Sequence, residues 1–259
     1  MAASSYLNSA PLIWSFARGG QKDVVKLTDA VPSRCADLLA QSLVDVALVP
    51  VIEYQRISDV HLVPDVCVGS SEAVRSVVLA TRVPDLRDIR SVALDESSRT
   101  SSLLVKVIFR EFIKSEPQWI PAQPDLQRML VENDAALIIG DPGMTFARDG
   151  LRVFDMASLW REHTGLGFVF AMWMIREQAA AATRTIDFKA ACEEGLKHTQ
   201  QIIDYYEPFL GLPRSELQTY LTKNITFFLD AELRAGLNLY YELAHKHGLI
   251  ESVKPLQFI

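Results

Sequence analysis

The chain has 259 residues, 49% apolar and 22% charged, with 26 Lys and Arg against 32 Asp and Glu for a formal charge of −6. That balance suits one large α/β domain or two lobes of ordinary size and excludes a mainly disordered chain. The acidic total lacks the basic footprint of a general nucleic-acid binder. It leaves a small anionic ligand open, because local donors outweigh net charge inside a pocket.

Strand-like and helix-like segments alternate from the start. "SYLNSAPLIW" begins at Ser5 and places Asn8, a neutral hydrogen-bonding amide with no acid–base capacity, in the first turn. "SRCADLLAQSLV" has apolar residues at helical spacing behind Ser33, which predicts a helix capped by that serine. "DVALVPVIEY" from Asp45 predicts a buried strand ending at Pro50, and "SVVLATR" from Ser76 predicts another. "SVALDESSRTSSLLVKVIFREF" reads as a strand through Val92, Ala93 and Leu94, a loop from Asp95 to Arg99, and a helix striped by Leu103, Leu104, Val107, Ile108 and Phe112. "DAALIIGDPGM" predicts a strand running into a tight turn, and "GFVFAMWMI" from Gly167 a long apolar strand. From Thr185 onward the pattern is helical nearly to the end, with breaks expected at Pro208 and at "GLPRS" and further punctuation at Gly236 and Gly248.

This order predicts two lobes: lobe I from residues 1–82 and 175–259, and lobe II from 83–174. Crossings are expected near Arg82–Pro84 and Phe168–Trp173. A discontinuous topology of this kind suits a cleft that closes on a ligand.

Besides the Asn8 turn, three stretches carry chemistry. In "LDESSRTSSLL" a strand gives way to a hydroxyl-rich loop and a helix start, so free N–H groups with Thr100 and Ser101 would form an anion site. The plain alternative is capping by Ser98 or Thr100, and Arg99 adds either charge to the site or a solvated cation. Asp141 in "GDPGM" follows a buried strand, a position that faces either a cleft or a simple Asp-Pro turn. Ser76 stands where an apolar strand begins and is most simply a satisfied polar group. No GxSxG surrounds any serine, so a hydrolase elbow is unsupported.

Other classes find no support. The five histidines include no HExxH, and the three cysteines, Cys35, Cys67 and Cys192, form no CxxC pair, so no metal site is expected. No GxGxxG or Walker loop is present, and Trp160 and Phe170 read as core. The odd cysteine count suits a reducing compartment. With no signal-peptide pattern and no apolar run of about 18 residues, a cytoplasmic protein with a small-molecule partner, and with neither nucleic acid nor membrane, is the expectation.

In combination, "SYLNSAPL", "DVALVPVIEY", "LDESSRTSSLL", "IIGDPGM", "TGLGFVFAMW" and "YLTKNITFFLDAELRAGLNLYYELAHKHGLI" resemble the chorismate dehydratase family of the futalosine route to menaquinone. The resemblance spans nearly the whole chain. It departs from the family pattern in three places: only "MAAS" precedes the SYLN turn, Gly167 stands where the family commonly has Pro, and "GDPGM" replaces the more usual GDAAL. The resemblance implies a two-lobed α/β fold of the type II periplasmic-binding-protein kind, with a central ligand cleft and a helical C-terminal tail. It implies a cofactor-free carbon–oxygen lyase that removes water from chorismate, a dianion, to give 3-[(1-carboxyvinyl)oxy]benzoate. Asn8 and Ser76 would then stand at the reacting ring, Thr100 and Ser101 would bind a carboxylate, and Asp141 would line the cleft. The base stays open between a protein group and the substrate's own side-chain carboxylate. A non-catalytic solute-binding or sensor protein for a small carboxylate is the competing reading.

Overall fold

The computed structural model describes residues 1–259. Lobe I opens with β1 (Ala2–Ala3), α1 (Ala10–Arg18), β2 (Thr28–Asp29), α2 (Pro32–Ala40), β3 (Val46–Pro50), β4 (Val60–Leu62) and β5 (Val66–Ser70). The chain then crosses to lobe II: β6 (Val77–Thr81), β7 (Ser91–Asp95), α3 (Thr100–Ile108), β8 (Gln118–Ala122), α4 (Leu126–Glu132), β9 (Ala135–Ile139), α5 (Gly140–Thr145), β10 (Arg152–Asp155) and α6 (Met156–Thr164). It returns to lobe I on β11 (Phe168–Arg176). The tail holds α7 (Phe188–Lys197), α8 (Thr199–Leu210), α9 (Arg214–Thr219), β12 (Thr226–Phe228) and α10 (Ala231–Lys246).

The lobe I sheet runs β12-β5-β11-β3-β1-β2, with β4 also paired to β11, and the lobe II sheet runs β10-β6-β9-β7-β8. β1, β2 and β3 are parallel, as are β8, β7 and β9, while β11 and β6 run antiparallel to their neighbours. The apolar runs at β3, β5, β6 and β9 are buried along their whole length, as expected of strands covered on both faces. One apolar core of 69 residues passes through both lobes.

The pairing corrects the lobe boundaries. β6 lies in the lobe II sheet and β11 in the lobe I sheet, so the crossings fall at residues 71–76 and 165–167 rather than near Arg82–Pro84 and Phe168–Trp173. The first crossing is pinned by the Asp155 carboxylate. It accepts the Val74 and Arg75 N–H groups while also capping α6 through Ala157 and Ser158. The second is held by Glu232, which accepts the Gly167 N–H at 3.1 Å and pairs with Arg161 at 2.6 Å. A proline at 167 has no N–H to give.

Other expectations also change. Ser33 does not cap α2; Pro32 opens that helix, and the Ser33 N–H donates across to the Ser97 carbonyl. Pro208 lies inside α8, in its final turn, and the helix ends only at left-handed Gly211. The helical tail also contains a strand, because β12 extends the sheet beside β5.

α10 straddles both lobes. Tyr240 donates its hydroxyl to the Thr100 carbonyl of lobe II, and the adjacent Tyr241 donates to the Val51 carbonyl of lobe I. At its far end Lys246 and His247 reach Glu111 beyond α3. The segment that follows is bonded onto lobe I through Tyr54, Gln55 and Leu62.

Candidate active site

A small cavity lies between the lobes and is lined by residues of both. Lobe I supplies the turn after β1, with Ser4, Tyr6, Asn8 and Ser9, and an apolar wall from Pro50, Phe170 and Ala171. Lobe II supplies Ser98, Thr100 and Ser101 at the start of α3, and Ile139 and Gly140 at the end of β9. These are the carboxyl ends of β7 and β9, where open α/β sheets place ligands.

No side chain caps α3. The hydroxyl-rich loop therefore does not follow the capping alternative, and the first-turn N–H groups stand free beside the cavity. The Thr100 hydroxyl oxygen accepts the Ile52 N–H from lobe I at 3.3 Å, leaving its own proton for another partner. The loop is shaped from beneath by Asp95, which is buried and accepts the Ser97 N–H at 2.8 Å and the Ser97 hydroxyl at 2.6 Å. Burial pushes the Asp95 carboxyl above its ordinary range.

Arg99 turns away from the cavity. Its guanidinium bridges Asp37 at 2.5 Å and buried Glu53 at 2.9 Å, both in lobe I. No Arg, Lys or His lines the cavity. An anion there would be held by hydroxyls, amides and the positive end of α3.

Asn8, Thr100 and Ser101 are thus brought together across the cleft, whereas Ser76 and Asp141 are not among the lining residues. Ser76 is fully buried behind the wall and accepts the Tyr220 hydroxyl at 2.7 Å. The Asn8 side chain accepts the Ser9 hydroxyl at 3.2 Å. Asp141 bridges the lobes at the rim: its carboxylate accepts the Leu7 N–H at 3.0 Å. Burial raises its pKa to about 6, and the Leu7 bond offsets this only in part. Beside it Gly140 adopts φ 67°, and a Cβ there would stand 2.6 Å from the Tyr6 ring. Only glycine meets both demands.

Sequence reasoning did not assign roles to Tyr6, Asp95 or Tyr220. Tyr6 lay inside the quoted "SYLN" and Tyr220 opened the quoted "YLTKN", but neither shows its partner locally.

In fold, the chain resembles solved proteins of periplasmic-binding-protein kind. A protein of Archaeoglobus fulgidus superposes with TM-score 0.74 at 17% identity, over 96% of this chain and 97% of that one. A Candida albicans protein described as having the generic periplasmic binding protein fold gives 0.66 at 13%, over 98% and 90%. The periplasmic aliphatic sulphonate binding protein of Escherichia coli gives 0.61 at 17%, over 100% and 92%. The class is therefore a two-lobed α/β protein of that fold.

Residues 1–246 match the family profile described as menaquinone biosynthesis, and the chain belongs to that family. It is similar to the chorismate dehydratase of Thermus thermophilus, 28% identical with 92% of each chain covered, and to that of Campylobacter jejuni, 24% identical over 91% of this chain and 88% of the relative. No helix is long and apolar enough to cross a membrane.

Proposed function

We propose that the protein is a chorismate dehydratase, a hydro-lyase that converts chorismate to 3-[(1-carboxyvinyl)oxy]benzoate and water. The observation that carries the reading is the facing of Asn8 by the uncapped start of α3 across one cavity. The kinship with two chorismate dehydratases supports the substrate.

In this reading the ring carboxylate sits at Thr100 and Ser101. Loss of the C3 proton sends its electron pair into the ring and toward that carboxylate, where the donors of α3 stabilise the developing charge. The electrons return to form the C3–C4 double bond as the C4 hydroxyl departs, and the hydroxide and proton leave as water. The change is redox-neutral, and aromatisation drives it. The substrate's side-chain carboxylate takes the proton, held in position by the cavity. Asn8 donates to that carboxylate or to the departing hydroxyl. Ser76 contributes from behind the wall, and Asp141 fixes the SYLN turn through Leu7.

The test is incubation of purified protein with chorismate in cofactor-free buffer, with product followed by absorbance and mass. Formation of the aromatic ether is the expected result. Saturable binding without product would replace the reading with a solute-binding or sensor function. Normal turnover of a chorismate analogue lacking the side-chain carboxylate would overturn the substrate-assisted step.

A further inference from the structure

Thr100 is held by groups that do not themselves line the cavity. It opens α3 and lines the cavity, and two partners grip it. Its carbonyl accepts the Tyr240 hydroxyl at 3.0 Å, and its hydroxyl oxygen accepts the Ile52 N–H at 3.3 Å. A helical carbonyl has two lone pairs and uses one within its own helix, so Tyr240 takes the other. Ile52 lies in the first turn of the short 3₁₀ segment Val51–Gln55, where an N–H finds no acceptor in its own helix. Thr100 supplies that acceptor from lobe II.

Tyr241, next along α10, donates to the Val51 carbonyl at 2.7 Å. Val51 and Ile52 are neighbours, as are Tyr240 and Tyr241, so these bonds close a circuit through α10, α3 and lobe I. Of its members only Thr100 lines the cavity. Both tyrosines are buried. The Tyr240 ring stands edge-on to Phe168 and Trp160, with centres 5.0 and 6.3 Å away, which holds the phenol in place. A hydroxyl donates one proton and accepts up to two. Thr100 uses its hydroxyl as an acceptor toward Ile52 and gives the proton to no group of the protein.

We infer that Tyr240 is a positioning residue for ligand binding: through the Thr100 carbonyl it holds the start of α3 against lobe I, where the Ile52 N–H commits the Thr100 hydroxyl to serve the ligand as a donor. The inference deepens the proposed dehydratase reading and rests on it for the identity of the ligand.

Tyr240→Phe keeps the ring and deletes one hydroxyl. The Thr100 carbonyl keeps its bond within α3, so no buried group is left without a partner and the fold should survive. KM for chorismate should rise roughly 3- to 5-fold, short of the loss expected on removing the Thr100 hydroxyl itself, with kcat within about 2-fold. In a Thr100→Val background the same substitution should raise KM no further, since residues acting through one group are non-additive. A lower Tm with KM unchanged would reduce Tyr240 to a packing role and overturn the inference, as would a KM effect that adds fully to Thr100→Val.

A second readout needs no turnover. The Ile52 amide depends on the Thr100 hydroxyl for its acceptor, so its hydrogen exchange, followed by NMR, should be roughly 10-fold faster in Tyr240→Phe than in the wild type. Equal exchange in the two would overturn the positioning role. Faster exchange in Tyr240→Phe, with a wild type that makes no product from chorismate, would instead remove the dehydratase reading and leave the grip on Thr100 in place.

Discussion

Asn8 lines the cavity, and in the proposed reaction its amide would serve as a donor to a dianion; two substitutions separate its roles. Asn8→Ala deletes the amide without adding charge, and kcat should fall by about 10²–10³. Asn8→Asp keeps the size but puts a third negative charge beside the ligand, worth several kcal/mol at ~4 Å and an effective dielectric near ~20. Its kcat/KM should lie below that of Ala and recover as pH drops and the new carboxyl is protonated. Near-normal turnover by Asn8→Asp in a steady-state assay would make position 8 an acceptor or base. Thr100→Val tests the other wall. A lost hydrogen bond to a charged partner costs about 1.5–3 kcal/mol, so KM should rise about 10-fold or more. An unchanged KM with intact folding would detach the start of α3 from the ligand. That these two residues line one cavity was open to sequence reasoning because each sits in a local motif, a turn or a helix start, that constrains it within a few residues. Tyr220 was not open to it: its partner Ser76 lies 144 positions away, and nothing local distinguishes its hydroxyl from that of any core tyrosine.

At the scale of elements, α5 meets the turn before α1 through one carboxylate. The pKa of Asp141 stands at about 6 in the fold against an ordinary 3.8. Folding therefore favours the protonated form. The contribution is fully present below pH 4 and is lost as pH rises through 6, up to about 3 kcal/mol for a two-unit shift. Asp141→Asn retains a carbonyl acceptor for the Leu7 N–H and carries no charge at any pH. Thermal melts should show this variant more stable than wild type at pH 8 and equal to it near pH 4. The opposite trend would mean that the Leu7 bond outweighs burial. Elements also mark where the sequence stops being informative. The apolar runs that become β3, β6 and β11 were legible as strands. Their partners were not, because an apolar run carries no mark of the sheet it joins, and β6 and β11 changed lobes for that reason. Pro208 misled as a break because it ends α8 late rather than at once: its missing N–H removes one bond to the preceding turn, and the helix runs two residues further to Leu210.

Across the whole molecule, the lobes are joined by more than their two crossings. Arg99 reaches from lobe II to Asp37 and Glu53, and Tyr240 and Tyr241 fasten α10 to both sides. Arg99→Gln leaves Glu53 with only Arg56 at 2.9 Å. Partial retention of that pair should hold the loss to about 2 kcal/mol, below the usual cost of breaking a buried pair. We expect a lower Tm and a higher KM with kcat nearly unchanged, because a lobe pair resting further open must be closed by the ligand. A kcat loss at constant KM would place Arg99 in the chemistry instead. The absence of any cation among the residues lining the cavity has a separate consequence, for selectivity against the surrounding medium. A pocket of fixed dipoles gains little from long-range attraction, so KM should change by less than about 2-fold between 50 and 500 mM salt, where a site built on Lys or Arg would be screened. Compact, strongly hydrated ions such as phosphate and sulfate would give up their water for no opposing charge, so neither should compete measurably at millimolar levels. In the proposed complex a broad organic dianion would keep its carboxylates at the donors and bury its ring against Pro50 and Phe170, which line the cavity. The enzyme would thus ignore the commonest anions in its solution by withholding the one feature they require.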